Sequence, residues 1–212
     1  MRLMYLGVNI KRMNGSKNEI LGGATMKRRC SWAEGNEKMK HYHDTIWGVP
    51  VYDDQRLFRK LILDINQAGL SWQTILNKEN DFDAAFDEFD IKKVALYDEN
   101  KIQELLNDPG IIRNRRKIEA TIHNAQKIIE IQNEFVSFSN YLWGFNAQSV
   151  LKNAYQNQVE IPTTNELSDN IAKDLKKRGF KFVGSTIIYA FLESIGMIND
   201  HITICFRYEE LN

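Results

Sequence analysis

Leu106-Asn107-Asp108-Pro109-Gly110-Ile111-Ile112-Arg113-Asn114 is the stretch on which the fold turns. Before it, Asn100 precedes Ile102, Leu105 and Leu106 at helical spacing. After it, Ile118, Ile122, Ala125 and Ile129 recur at intervals of four, three and four. The segment therefore reads as helix, glycine-containing hairpin, helix. Working outward, the apolar pattern stays helical from Asp53 onward. Asp53 or Asp54 can cap a helix carrying Leu57, Leu61 and Ile65, and Asp81 can start another through Ala84, Ala85 and Phe89. Ser137 heads Phe138, Tyr141, Leu142 and Phe145. Ser185 heads Ile188, Phe191, Leu192 and Ile195, with Gly196 as the stop. Hairpin dipeptides between alternating apolar residues are not apparent, so the pattern predicts an all-α fold.

The 212 residues, 43% of them apolar, suffice for one ordinary core. Lys and Arg total 28, as do Asp and Glu, which excludes a simple polycation but not local patches. No apolar run is long enough to span a bilayer, and two distant cysteines do not make a disulfide scaffold. A cytoplasmic protein is expected. Residues 1–25 are Gly- and Asn-containing and lack helical period. They are expected to be a disordered arm or an extension ahead of a true start at Met26, leaving 26–212 as a single helical domain.

Three groupings carry chemistry. Cys30 and His43 lie near that expected start, and His201 and Cys205 are four apart, which on a helix puts them on one face. Two thiolates and two imidazoles make the closed set that structural zinc prefers, and such a clip would join the domain's ends. The spacing also fits two buried cysteines beside unrelated histidines. Asp64 falls on or beside the apolar stripe of Leu57 and Leu61, where a carboxylate must be paired, hydrated or used. After it, Gly69 breaks the helix, Ser71 can cap the next and Trp72 begins it. With Trp32 and Tyr42 near the cysteine–histidine pair, aromatic faces plus one acid would suit a flat cationic base. Finally, Arg113, Arg115, Arg116 and Lys117 follow the hairpin, and Lys173, Lys176, Lys177, Arg178 and Lys181 form a second basic stretch. Either is a solvated helix face or a phosphate-binding one.

Taken together these segments resemble the bacterial type I 3-methyladenine DNA glycosylases, a branch of the helix-hairpin-helix superfamily. The resemblance runs from Cys30 to about Cys205. It is carried by Cys30-Ser31-Trp32, Tyr42-His43-Asp44, Trp47-Gly48-Val49-Pro50 and Gln67-Ala68-Gly69-Leu70-Ser71-Trp72. Gly110-Ile111-Ile112-Arg113-Asn114, the run from Lys176 to Gly184, and Asn199-Asp200-His201 extend it. It implies one structural zinc on Cys30, His43, His201 and Cys205. It implies a base pocket of Trp32, Tyr42 and Trp72, with Asp64 as the acid that hydrogen-bonds the base. Gly69 and Leu70 match a loop that approaches the gap in the duplex, and Gly110, Arg113 and Asn114 the phosphate-holding element. The implied activity is hydrolytic excision of 3-methyladenine from alkylated double-stranded DNA by a monomer, without strand-cutting lyase activity.

Two departures touch the pocket. The family acid is usually glutamate; Asp64 is one methylene shorter and reaches roughly 1.5 Å less far. Where the family commonly has Pro-Leu-Tyr, this chain has Glu37-Lys38-Met39, losing one pocket tyrosine. A non-catalytic binder of alkylated DNA on the same scaffold is therefore the alternative expectation.

Overall fold

The computed structural model describes residues 18–21 and 24–211. Of the expected extension, residues 1–17, 22 and 23 lie outside the described residues. The described residues begin with antiparallel strands β1 (Asn18–Leu21) and β2 (Ala24–Lys27), then a 3-10 turn at Ser31–Gly35. Helices α1 (Glu37–Thr45), α2 (Asp54–Gln67), α3 (Trp72–Asn77), α4 (Glu79–Ala85), α5 (Ile91–Val94), α6 (Glu99–Asn107), α7 (Arg115–Phe135) and α8 (Phe138–Gly144) follow. After β3 (Leu151–Lys152) come α9 (Glu166–Lys177) and α10 (Ser185–Ser194), then β4 (Ile198–Asn199) and α11 (Phe206–Glu210). β3 and β4 pair in parallel over two residues.

The predicted caps and stripes account for the long helices. Asp53 accepts the Arg56 amide at 2.8 Å to start α2, and Leu57, Leu61 and Ile65 are fully buried. Asn114 caps α7, whose buried stripe runs Ile118, Ile122, Ala125, Ile128 and Ile131; the expected Ile129 is only partly covered. Ser137 accepts the Asn140 amide at 2.9 Å to begin α8. Helix α10 buries Ile188, Phe191 and Leu192 and gives way to Gly196 at φ +73°. A Cβ on Gly196 would stand 2.5 Å from the Gly48 carbonyl, so glycine is required there twice over.

The fold is helical as expected, with two short strand pairs beside the helices: β1 and β2 put Leu21 opposite Ala24, and β3 with β4 is only two residues long. Two expectations need correction. The helix expected from Asp81 to Phe89 instead starts at Glu79 and ends at Ala85. Asp87, Glu88 and Phe89 then take positive φ of 51°, 55° and 59°. The strain is offset by Phe82, Phe86 and Phe89, which stack in the core, all under 2% exposed. His201 and Cys205 are not on a helix; they lie on the loop between β4 and α11.

Two apolar clusters result. The larger is built from α2 through α10. The smaller gathers Cys30, Met39, Tyr42 and Trp47 with Ile202 and Cys205, and adds Leu76 from α3. Trp72 and Ile161 pack against both, and the site lies along this seam.

Candidate active site and metal centre

Cys30 precedes the first 3-10 turn, His43 sits on the last turn of α1, and Cys205 caps α11. A turn closed by the Cys205 amide on the Ile202 carbonyl, at 2.8 Å, swings Cys205 back towards His201. All four residues are fully buried, and their ligand atoms lie within 4.8 Å of one another. Cys205 Sγ is 3.4 Å from His43 Nε2 and 3.5 Å from His201 Nδ1, and Cys30 Sγ is 3.7 Å from His201 Nδ1. A tetrahedron with ordinary Zn–S and Zn–N bonds has S···N edges of about 3.6 Å. The set fits a tetrahedral metal.

The surroundings are arranged for the same purpose. His43 Nδ1 lies 2.8 Å from Asp44 Oδ1, which directs Nε2 at the cluster, and Arg29 grips Asp44 with Nε and Nη2. Gly48, at φ +78°, lets His201 close in: a Cβ there would meet Nε2 at 3.0 Å.

Next to this centre opens a cleft of about 340 Å³, lined by Trp32, Tyr42 and Trp72 together with Asp64. The volume is that of a small-molecule site. Tyr42 and Trp72 meet at 5.0 Å between ring centroids, and Trp32 stands edge-on to His43 at 5.3 Å. Asp64 is 5% exposed and faces these rings. Its Oδ2 accepts from Ser194 Oγ at 3.2 Å. Burial pushes the carboxyl up to about 7 despite Lys60 and Ser194, which act the other way. Met39 also lines the cleft.

Sequence reasoning missed several members. Lys60, one turn before Asp64 on α2, is buried, and burial brings its ammonium down to about 8. Its Nζ donates to the Ser194 carbonyl at 2.8 Å and lies 5.9 Å from the Tyr42 ring. The four-residue spacing to Asp64 was the available signal. Trp47, Gln158 and Glu193 also line the cleft. Glu193 interrupts an apolar stripe much as Asp64 does; Gln158 stands in a loop with nothing to mark it.

At the mouth of the cleft, Gly69 at φ +80° makes the tight turn and Leu70 is 42% exposed at its tip. Ser71 caps α3, as expected. The hairpin differs from expectation. The Gly110 amide already donates to Asp108 Oδ1 at 2.7 Å, and Lys78 holds the Pro109 and Gly110 carbonyls. Arg113 and Asn114 are exposed, but Arg115 is bound to Glu99 and Glu119. Lys117, counted above with the basic run, is buried instead. Its Nζ donates to the Asn66 and Ala68 carbonyls, each at 2.8 Å, and so closes the end of α2. In the second basic stretch Arg178 is likewise engaged, by Glu134 and Asp174. Lys173, Lys176, Lys177 and Lys181 remain exposed.

Comparison with known proteins joins these features. A family model described as methyladenine glycosylase matches residues 32–208. The chain is 42% identical over 181 residues to DNA-3-methyladenine glycosylase 1 of Escherichia coli, covering 85% of this chain and 96% of that one. It is 38% identical over 180 residues to the Haemophilus influenzae DNA-3-methyladenine glycosylase, covering 85% and 97%. The solved structure of 3-methyladenine DNA glycosylase I from Staphylococcus aureus superposes with a TM-score of 0.81 at 34% identity, over 84% of this chain and 95% of that one. With a family model spanning most of its length and relatives matched almost end to end, this chain belongs to the methyladenine glycosylase family.

Proposed function

We propose that this protein is a DNA-3-methyladenine glycosylase of base excision repair, hydrolysing the N-glycosidic bond of 3-methyladenine in alkylated double-stranded DNA. The observation that carries the reading is Asp64: a buried carboxylate facing the same cleft as Tyr42 and Trp72. Methylation at N3 leaves the bound adenine positively charged. As the bond from C1′ to the base breaks, its electron pair passes to the ring and the base leaves neutral. Water adds at C1′ and gives up a proton. The chain's task is to extrude the nucleotide, hold the cation and admit water. Tyr42, Trp72 and Trp32 offer ring faces, and Asp64 offers charge in a poorly solvated setting. Leu70, exposed on the Gly69 turn, fills the gap left in the duplex, and Arg113 and Asn114 meet the backbone next to the Gly110 hairpin. The connection from α6 to α7 is the helix-hairpin-helix element on this reading.

Hydrolysis without lyase chemistry is supported by the state of Lys60. Its nitrogen is bound to the Ser194 carbonyl, beside a void of about 20 Å³, and is not presented as a free amine. Zinc is the proposed metal of Cys30, His43, His201 and Cys205. Four protein ligands leave no open position, so the ion joins the chain ends and supplies no chemistry to the reaction. The pocket lies within residues 26–212 of one chain, in keeping with a monomeric, cytoplasmic enzyme.

A second reading, a non-catalytic binder of alkylated DNA, draws on Lys60, which offsets the charge of a shortened acid. Release of free 3-methyladenine from methylated duplex separates the two. The wild type should release it, with kcat/KM lowered roughly 100-fold in Asp64→Asn and comparably in Trp72→Ala. Tight binding without release, under conditions where the Escherichia coli relative turns over, would end the enzymatic reading.

A further inference from the structure

The cleft has a second polar wall for which the excision chemistry above has no use. Gln158 enters it from the 3-10 turn Gln158–Glu160 ahead of α9, and Glu193 from the last turn of α10. Gln158 Oε1 is shielded from solvent and has no hydrogen-bond partner. Trp72 Nε1, in the same cleft, is in the same condition. A buried acceptor and a buried donor left unpaired are costly, and a ligand with polar edges would satisfy both.

Glu193 brings a second carboxyl group to this wall, hydrogen-bonded to Asp200. Burial first, and Asp200 second, hold its carboxyl well above the usual carboxylate range. Asp200 is itself fixed, with Oδ1 accepting from Asn153 at 2.7 Å and Oδ2 from the Tyr189 hydroxyl at 2.5 Å. On the opposite side of the cleft Asp64 has Lys60 one turn away and Ser194 on Oδ2. Lys60 Nζ and Ser194 Oγ are already engaged, while Gln158 Oε1 is an acceptor that no donor meets. The complement of such a wall is a ring that brings N–H groups. A purine with an amino group at C6 brings two; a 6-oxo purine brings a carbonyl, which would leave the Gln158 oxygen facing another acceptor.

We propose that Gln158, sharing the cleft with Glu193, forms an acceptor edge that reads the exocyclic amino group of the extruded base and disfavours 6-oxo purines. Both are specificity-determining residues for the reaction proposed above, on which this inference rests. Asp64 recognises charge; Gln158 and Glu193 recognise the pattern of hydrogen-bonding groups.

The test is a ratio. Duplex DNA treated with a methylating agent carries both 3-methyladenine and 3-methylguanine, and the bases released can be separated and counted. The ratio of the two kcat/KM values does not depend on how much of a variant is folded. It should fall about tenfold in Gln158→Leu, the effect of one buried hydrogen bond left unmade. It should fall in the same direction in Glu193→Gln, and Gln158→Asn should recover part of it. Affinity for duplex containing an abasic site, where no base enters the pocket, should stay as in the wild type. A wild type that releases 3-methyladenine, with ratios unchanged in Gln158→Leu and Glu193→Gln, overturns this inference and leaves the glycosylase reading standing. A wild type that releases neither base overturns both.

Discussion

The cysteine–histidine cluster and the neighbouring cleft share one small apolar cluster, yet they are built on opposite plans. In the first, sulfur lies against imidazole, His43 on Asp44 and Asp44 under Arg29, although His201 Nε2 has no partner. In the second, Trp72 Nε1 and Gln158 Oε1 are unpaired, and Asp64 and Glu193 are both held above their ordinary range by burial. A region that is satisfied stabilises the fold. A region left unsatisfied stores the demand that a ligand meets. The first supports the second, because α1 carries both His43 and Tyr42, and Trp47 packs on His201 at 4.5 Å between ring centroids.

The largest effect expected from this contrast lies on the metal side. On the proposal that the cluster holds zinc, treatment with a chelator, or Cys205→Ala, should lower Tm by more than about 10 °C, since structural zinc contributes on the order of 10 kcal/mol to small domains. Protein purified without metal and melting at the same temperature would break the comparison. A smaller effect is expected at Lys60. Asp64 must be ionised to hold the cation, and its carboxyl sits at about 7, so kcat/KM should rise with pH through neutrality. Lys60 lowers that value; Lys60→Met removes the lowering influence and should move the acidic limb to higher pH. A limb that stays in place, or moves down, would show that Lys60 does not act on Asp64. The smallest is Leu70→Ala, expected to cost about tenfold in kcat/KM on duplex, and much less on single strands, where no gap needs filling. Equal losses on both substrates would place Leu70 outside the interface.

Legibility in the sequence follows the range of the interactions involved. Helices α2, α7 and α10 were readable because a stripe such as Leu57, Leu61 and Ile65 is a local repeat, and caps such as Asp53 and Ser137 are local too. Asp64 was readable as a charge out of place on that stripe. The four ligands were visible as residue types, but joining them needed the family resemblance. The turn that presents Cys205 is closed by loop contacts, among them the Thr203 amide on the Tyr155 carbonyl, and these have no periodic signature. Lys117 was misread because a basic run looks like a solvated face, and only the distant end of α2 turns it inward. Gln158 belongs to a loop whose meaning comes from walls contributed by α2, α3 and α10. The kink after Ala85 answers to three stacked phenyl rings rather than to backbone propensity.

Lys117 has a mechanical consequence. By bracing the first turn of α7 to the carbonyls of Asn66 and Ala68, it makes the segment next to the hairpin and the Gly69–Leu70 turn one stiff piece. On the glycosylase reading such a wedge does not travel, so deformation on engagement is borne by the double helix rather than by the protein. The Leu70 amide, already donating to the Gln67 carbonyl at 2.7 Å, should then exchange its hydrogen at a similar rate with and without DNA, apart from shielding by the duplex. Faster exchange of that amide in the complex would mean that the wedge yields.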